Sequence, residues 1–243
     1  MGIVVALAVI AALYASVGQA GATGYIAAMA WLAFDPATIK PTALALNILV
    51  AAIGSARFLR AGLLTWRTFY PFGVLGAPFS IIGGAVNLPP HLYQPVVGVV
   101  LLLAAAQMIR SARDASTSVA MRVVDPPFLP SLAAGGAVGF IAGLTGAGGG
   151  IFLAPLILLC GWVGVRQSAA VSAAFNLLNS AAALAGAWAT LGALPHELPW
   201  WLLAAGIGGT LGSWLGAERL PPNSLRYILA ALLLVSGARM VIG

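Results

Sequence analysis

The chain has 243 residues, 61% of them hydrophobic and only 7% charged, with a formal net charge of +6. Soluble domains carry about 25% charged residues, so a soluble globular protein is excluded, as is disorder, which needs the opposite balance. Thirty glycines and 15 prolines follow no Gly-X-Y period, and the single cysteine, Cys160, excludes an internal disulfide framework and any Cys-x-x-Cys centre.

The charge map points to membrane helices. No Asp, Glu, Lys or Arg occurs over 1–34, 68–109, 126–165 or 198–217, and each run exceeds the ~18 apolar residues of a spanning helix. The alternation of a transmembrane β-barrel is absent. The fold expected is an all-α polytopic membrane protein. In chain order the pattern predicts a pair of short apolar segments at about 2–17 and 22–34, then longer helices at about 41–59, 69–87 and 92–111. A polar linker follows over 112–130, then a second short pair at about 131–145 and 149–161, then helices at about 167–187, 199–217 and 223–241. Pro41 and the Pro-Pro pairs at 89–90 and 221–222 are expected where helices start or turn. Trp31, Trp66, Trp162, Trp200 and Trp201 fall at segment ends, where interface aromatics belong.

This order repeats. Leu88-Pro89-Pro90 and the helix after it have a counterpart 132 residues later at Leu220-Pro221-Pro222, and Gly76 and Gly84 match Gly208 and Gly216. Thr42–Asn47 lies over Val171–Asn176 at an offset of 129, and Gly18, Gly21 and Gly24 over Gly143, Gly146 and Gly149 at 125. The chain therefore divides into a first transmembrane repeat, 1–111, a cytoplasmic linker, 112–130, and a second repeat, 131–243. The opening residues look like a weak signal peptide without a basic start. The repeat instead makes 1–17 the counterpart of the retained segment 131–142.

The eleven basic residues are scattered at the ends of apolar runs, which excludes the contiguous basic face of a nucleic-acid binder. If the two repeats are inverted, nine basic residues lie inside and two, Lys40 and Arg239, outside; if parallel, seven and four. Inversion fits better. Each repeat then crosses an odd number of times, which its three long helices already do, so the opening pair makes no net crossing. At 1.5 Å per residue these segments fall short of the ~30 Å hydrocarbon core and read as a re-entrant hairpin turning at its glycines. Arg57 and Arg60 are expected to snorkel to the headgroups, and His91 and His196 to sit in turns beside prolines.

The stretch Gly143-Leu-Thr-Gly-Ala-Gly-Gly-Gly150 lacks the Gly-Lys-Ser/Thr and the βαβ context of a phosphate loop. Close helix packing through small residues is one explanation. The other is that the glycines bare backbone N–H groups at the start of a half-helix, making an anion site without a buried cation. Gly18-Gln-Ala-Gly-Ala-Thr-Gly24 is the matching loop of the first repeat.

Residues 139–159, GFIAGLTGAGGGIFLAPLILL, with KPTALALNILVAAI at 40–53, resemble the TauE/SafE sulfite exporter family over nearly the whole chain. The resemblance implies a transporter of sulfite, organosulfonates or related small anions, coupled to an ion gradient in some members. Carried onto this chain, it marks the two glycine loops (Gly21, Thr23 and Gly24; Thr145, Gly146, Gly148, Gly149 and Gly150) and the helices that follow, with the repeat-matched Asn47 and Asn176 and the donors Ser172 and Asn179. An Asn there can donate to an oxyanion and cap exposed backbone; Ser and Thr can equally bond their own helix, and Asn can join two helices.

The function expected is a secondary transporter in the cytoplasmic (inner) membrane, with the anion held at the midplane between half-helix N-termini and Asn side chains. A passive anion channel on the same architecture is the alternative. No buried acid, base, nucleophile or metal cluster supports an enzyme, and no cofactor is implied. The expected partners are the lipid bilayer, a sulfur oxyanion, H+ or Na+ as coupling ion and a further copy of the chain, with no nucleic acid.

Overall fold

The computed structural model describes residues 2–16, 18–114, 126–188, 194–218 and 222–242; the linker segment 115–125, Arg219 and the Leu220-Pro221 turn lie outside these described residues. The described residues form helices and no strand. The first half contains α1 (Gly2–Ser16), α2 (Ala22–Trp31), α3 (Pro36–Arg60), α4 (Trp66–Ala85) and α5 (Pro90–Asp114). The second contains α6 (Phe128–Thr145), α7 (Gly150–Leu159), α8 (Val165–Gly186), α9 (Leu198–Glu218) and α10 (Pro222–Ile242). Each half is thus an opening helix and a ten-residue second helix, α2 or α7, followed by three longer ones. Segments 37–60, 128–145 and 166–186 are long and apolar enough, by length and composition, to cross a bilayer. Helix α6 exceeds its expected length because it begins at Phe128, three residues early, and at 18 residues it spans about 27 Å.

Local chemistry fixes the ends. Asp35 caps α3 by accepting from the Ala37 N–H at 2.9 Å, and Pro36 takes the first helical position, where no N–H is needed. Pro41 therefore does not begin α3, as its sequence had suggested; it lies inside the second turn, and Asp35 with Pro36 supplies the start. Thr65 caps α4.

The halves pack by exchange. Helix α4 lies on α6 as α9 lies on α1, α4 on α8 as α9 on α3, and α2 on α10 as α7 on α5, while α3 meets its counterpart α8 and α5 meets α10. Directions follow from which residues meet. Asn47 reaches Ser180 while Gly54 faces Ala173, so α3 and α8 run antiparallel. Gly98 faces Met240 and Val241 while Leu102 faces Gly237, so α5 and α10 do too. By contrast α4 and α6 are parallel: Gly135, Gly139 and Gly143 rest on the backbone at Phe72, Gly76 and Ser80 in turn. Gly208 and Gly212 of α9 rest likewise on Ala8 and Ala12 of α1. Such stripes let backbones approach where lipid supplies no hydrophobic drive for helices to associate.

The outer surface is apolar. Trp200, Leu203, Ile207, Leu211 and Trp214 recur at helical spacing along α9, all more than half exposed, which suits a face against lipid rather than water. Trp31, Trp66 and Trp200 are exposed at helix ends as expected, but Trp201 is not an interface aromatic. It is buried, with its ring edge-on to Phe34 at 5.8 Å, because helical spacing turns it inward from Trp200.

A Cβ at Gly139 would collide with the Gly76 carbonyl oxygen, so Gly139→Leu is expected to cost about 3 kcal/mol or more, the upper range for overpacking. Melting in detergent should show a marked loss for Gly139→Leu and almost none for Gly54→Ala, since a Cβ at Gly54, inside α3, would meet only the Ala173 methyl at 3.8 Å, an ordinary contact.

Candidate functional site

Helices α2 and α7 both begin on a glycine in the left-handed region, Gly21 at φ 97° and Gly149 at φ 86°, where an L side chain is strained. A glycine cap brings no side-chain oxygen, so the first N–H groups need acceptors from elsewhere. Two asparagines provide them. The Ala22 N–H donates to Asn47 Oδ1 at 3.0 Å, and the Gly150 N–H donates to Asn176 Oδ1 at 2.7 Å. Each asparagine stands eleven residues past the start of its long helix (36 to 47, 165 to 176).

The two caps share one centre. A Cβ at Gly148 would collide with Asn47 Nδ2 and stand 2.9 Å from Asn176 Oδ1. The second loop's backbone therefore passes between both carboxamides, and only glycine fits. Asn47 Nδ2 also donates to Ser180 Oγ at 2.7 Å, tying α3 to α8. Two half-helix N-termini, each carrying about +0.5 of an elementary charge, are thus held by neutral groups around one point. The carboxylates Asp35 and Glu197 are exposed at helix starts.

All twelve residues singled out from the sequence are buried. Gly21, Asn47, Gly148, Gly149, Gly150 and Asn176 form the two caps and their shared centre. Thr23 Oγ1 is 3.0 Å from the Tyr14 hydroxyl, and Gly24 admits Ile10 and Tyr14 of α1 at close range. The Thr145 hydroxyl is engaged locally, donating to the Ile141 carbonyl at 2.7 Å and accepting from the Ala147 N–H at 3.3 Å. Ser172, one turn before Asn176 on α8, has a buried hydroxyl without a protein partner. Asn179 faces α4 instead, with Oδ1 against Gly76 and Nδ2 donating to the Phe175 carbonyl at 2.9 Å.

The loops also correct the glycine register. Gly18 (φ 77°) and Gly146 (φ 81°) are the left-handed residues after α1 and α6, and Gly21 and Gly149 the caps of α2 and α7. The true offset is 128, not 125; counting glycines in a glycine-rich stretch matched the wrong members. At this offset, Gly18 packs on Ala169 and Gly146 on Lys40, residues that are themselves 129 apart.

Lys40 is the residue the sequence placed least well. It is no loop cation: it lies inside α3, 7% exposed, and its ammonium donates to the carbonyls of Gly83, Gly84 and Val86 at 3.3, 2.9 and 3.2 Å. It thereby closes the C-terminal end of α4, which carries the negative end of the helix dipole. Arg57 does not simply snorkel either; its Nη1 donates to Ser213 Oγ on α9. His196 is exposed and pairs with Glu197 at 3.0 Å, and Cys160 is exposed. His91 lies exposed in the first turn of α5.

Replacing Lys40 by Met orphans the last carbonyls of α4 and is expected to cost about 1.5–3 kcal/mol, the range for hydrogen bonds to a charged group. Thermal unfolding in detergent measures it; an unchanged melting temperature would show that the clasp contributes nothing.

The family described as Sulfite exporter TauE/SafE matches residues 3–240. A "Probable membrane transporter protein y4hK" from Sinorhizobium fredii (strain NBRC 101917 / NGR234) is 51% identical over 241 residues, covering 99% of this chain and 98% of that protein. No solved structure matches. Family and relative are membrane transporters rather than enzymes. A family match spanning nearly every residue, on an all-helical chain with an apolar exterior, identifies this multi-pass membrane protein as a member of the sulfite exporter TauE/SafE family.

Proposed function

We propose that this chain is a secondary transporter that moves a small oxyanion, such as sulfite or an organosulfonate, across the cytoplasmic membrane. What carries the proposal is the convergence of two glycine-capped half-helix N-termini on the Asn47–Gly148–Asn176 centre. Backbone N–H groups and the positive ends of helix dipoles favour an anion. The family's description as a sulfite exporter fits such a cargo, and the relative's name is that of a membrane transporter.

In this account the two repeats, 1–111 and 131–243, are inverted. The antiparallel packing of α3 on α8 and of α5 on α10 supports this, because equivalent helices of parallel repeats would run the same way. So does the charge bias, which puts nine basic residues on the cytoplasmic side. The α1–α2 and α6–α7 hairpins then enter from opposite faces, and their half-helix starts meet near mid-depth. Every residue of the centre is buried, which favours alternating access over an open channel. Movement of one repeat against the other would expose the centre to each side in turn, coupled to H+, Na+ or the membrane potential. The potential drives an anion outward with ~2.3 kcal/mol per charge per 100 mV.

Aspartate separates capping from anion binding. Asn47→Asp and Asn176→Asp retain an oxygen for the Ala22 or Gly150 N–H, Asp caps about as well as Asn, and the Ser180 hydroxyl, which now accepts from Asn47 Nδ2, can turn to donate to a carboxylate at position 47, so the fold should persist. A carboxylate repels an oxyanion, and sulfite flux into reconstituted vesicles should fall by about tenfold or more, corresponding to ~1.4 kcal/mol. Folded variants with undiminished flux would remove both asparagines from the site.

A further inference from the structure

The first half-helix carries a group that packing alone does not require. Tyr25 lies one turn into α2 and is fully buried at 0% exposure. Helical side chains lean back toward the N-terminus, and this one does so: both its Cζ and its hydroxyl oxygen stand 3.0 Å from the position of a Cβ at Gly21, the cap of α2. The hydroxyl has no hydrogen-bond partner in the protein. Buried phenols usually find one, and the neighbouring Tyr14 does, with its hydroxyl 3.0 Å from Thr23 Oγ1. The equivalent slot on α7, at the loop offset of 128, holds Leu153, also 0% exposed. A hydrocarbon side chain therefore fills the matching space, and the phenol oxygen at position 25 is surplus to packing.

Resting on the anion-transport proposal above, we infer that the Tyr25 hydroxyl is a direct donor to the transported oxyanion at the N-terminus of α2. It adds a side-chain O–H to the backbone N–H groups there, on one half only. The anion would thus be gripped asymmetrically, with the extra donor on the first hairpin. An O–H donor of this kind suits a sulfur oxyanion, whose several oxygens all accept.

The test uses the full chain in detergent, with sulfite and methanesulfonate as probes and two isosteric variants. Tyr25→Phe removes an unpartnered hydroxyl, so its melting temperature without anion should be no lower than the wild type's. Its Kd for the probe that the wild type binds should rise by about tenfold or more, the size expected for a hydrogen bond to a charged group. Tyr14→Phe, which loses a formed bond, should melt lower. Equal Kd values for Tyr25→Phe and wild type would overturn the inference while leaving anion binding intact, as would a drop in melting temperature for Tyr25→Phe with no change in Kd. A wild type that binds neither probe would instead overturn the anion proposal on which it rests.

Discussion

A helix that begins inside an apolar protein exposes N–H groups that nothing nearby can satisfy, and this chain contains two such beginnings. Leaving a buried backbone donor unpaired costs about 1–3 kcal/mol, so each start must be matched by an acceptor brought from another element. The Asn47 and Asn176 carboxamides do this at 3.0 and 2.7 Å. Much else follows from that need. Glycine must stand at 21 and 149 for the chain to turn into the helix, glycine must stand at 148 for the loop to pass between the asparagines, and α3 and α8 must cross where their asparagines can face the tips. A carboxamide takes one N–H at each start, Ala22 by Asn47 and Gly150 by Asn176.

The halves are alike in frame and unlike in chemistry. Their helices pack in exchanged pairs, yet Lys40 stands where the second half has Ala169, and Tyr25 where it has Leu153. Lys40 braces the second loop at Gly146 while clasping the end of α4, whereas Gly18 of the first loop faces the apolar Ala169 methyl and the Phe58 ring. A transporter whose hairpins were chemically identical would hold its cargo equally toward both faces. These differences give each hairpin a different anchorage within one shared frame.

Much of this was legible in the sequence because apolar run length and proline or glycine punctuation are local signals. The expected pairs at 2–17 with 22–34 and 131–145 with 149–161 appear as α1 with α2 and α6 with α7, and the six long helices fall within a few residues of their expected limits. The repeat-matched asparagines emerged because Asn inside an apolar run is conspicuous. What stayed hidden depends on tertiary contact. Lys40 reads as a flanking cation until the end of α4 is seen against it, and Arg57 as a headgroup ligand until Ser213 is. Trp200 and Trp201 are indistinguishable by sequence, though one faces outward and the other is buried. Tyr25 drew no notice because an aromatic residue in an apolar helix is ordinary, and only the missing partner of its hydroxyl sets it apart.

The central claim is that the two half-helix starts reach the same centre from opposite sides of the membrane. With Cys160 replaced by Ser, single cysteines at Ala61 and Leu194 sit in the equivalent connections α3–α4 and α8–α9. A membrane-impermeant maleimide applied to right-side-out and inside-out vesicles reports which face each occupies. The account predicts that position 61 reacts from the cytoplasmic face alone and position 194 from the opposite face alone. Reaction of both from one face would make the repeats parallel and contradict it.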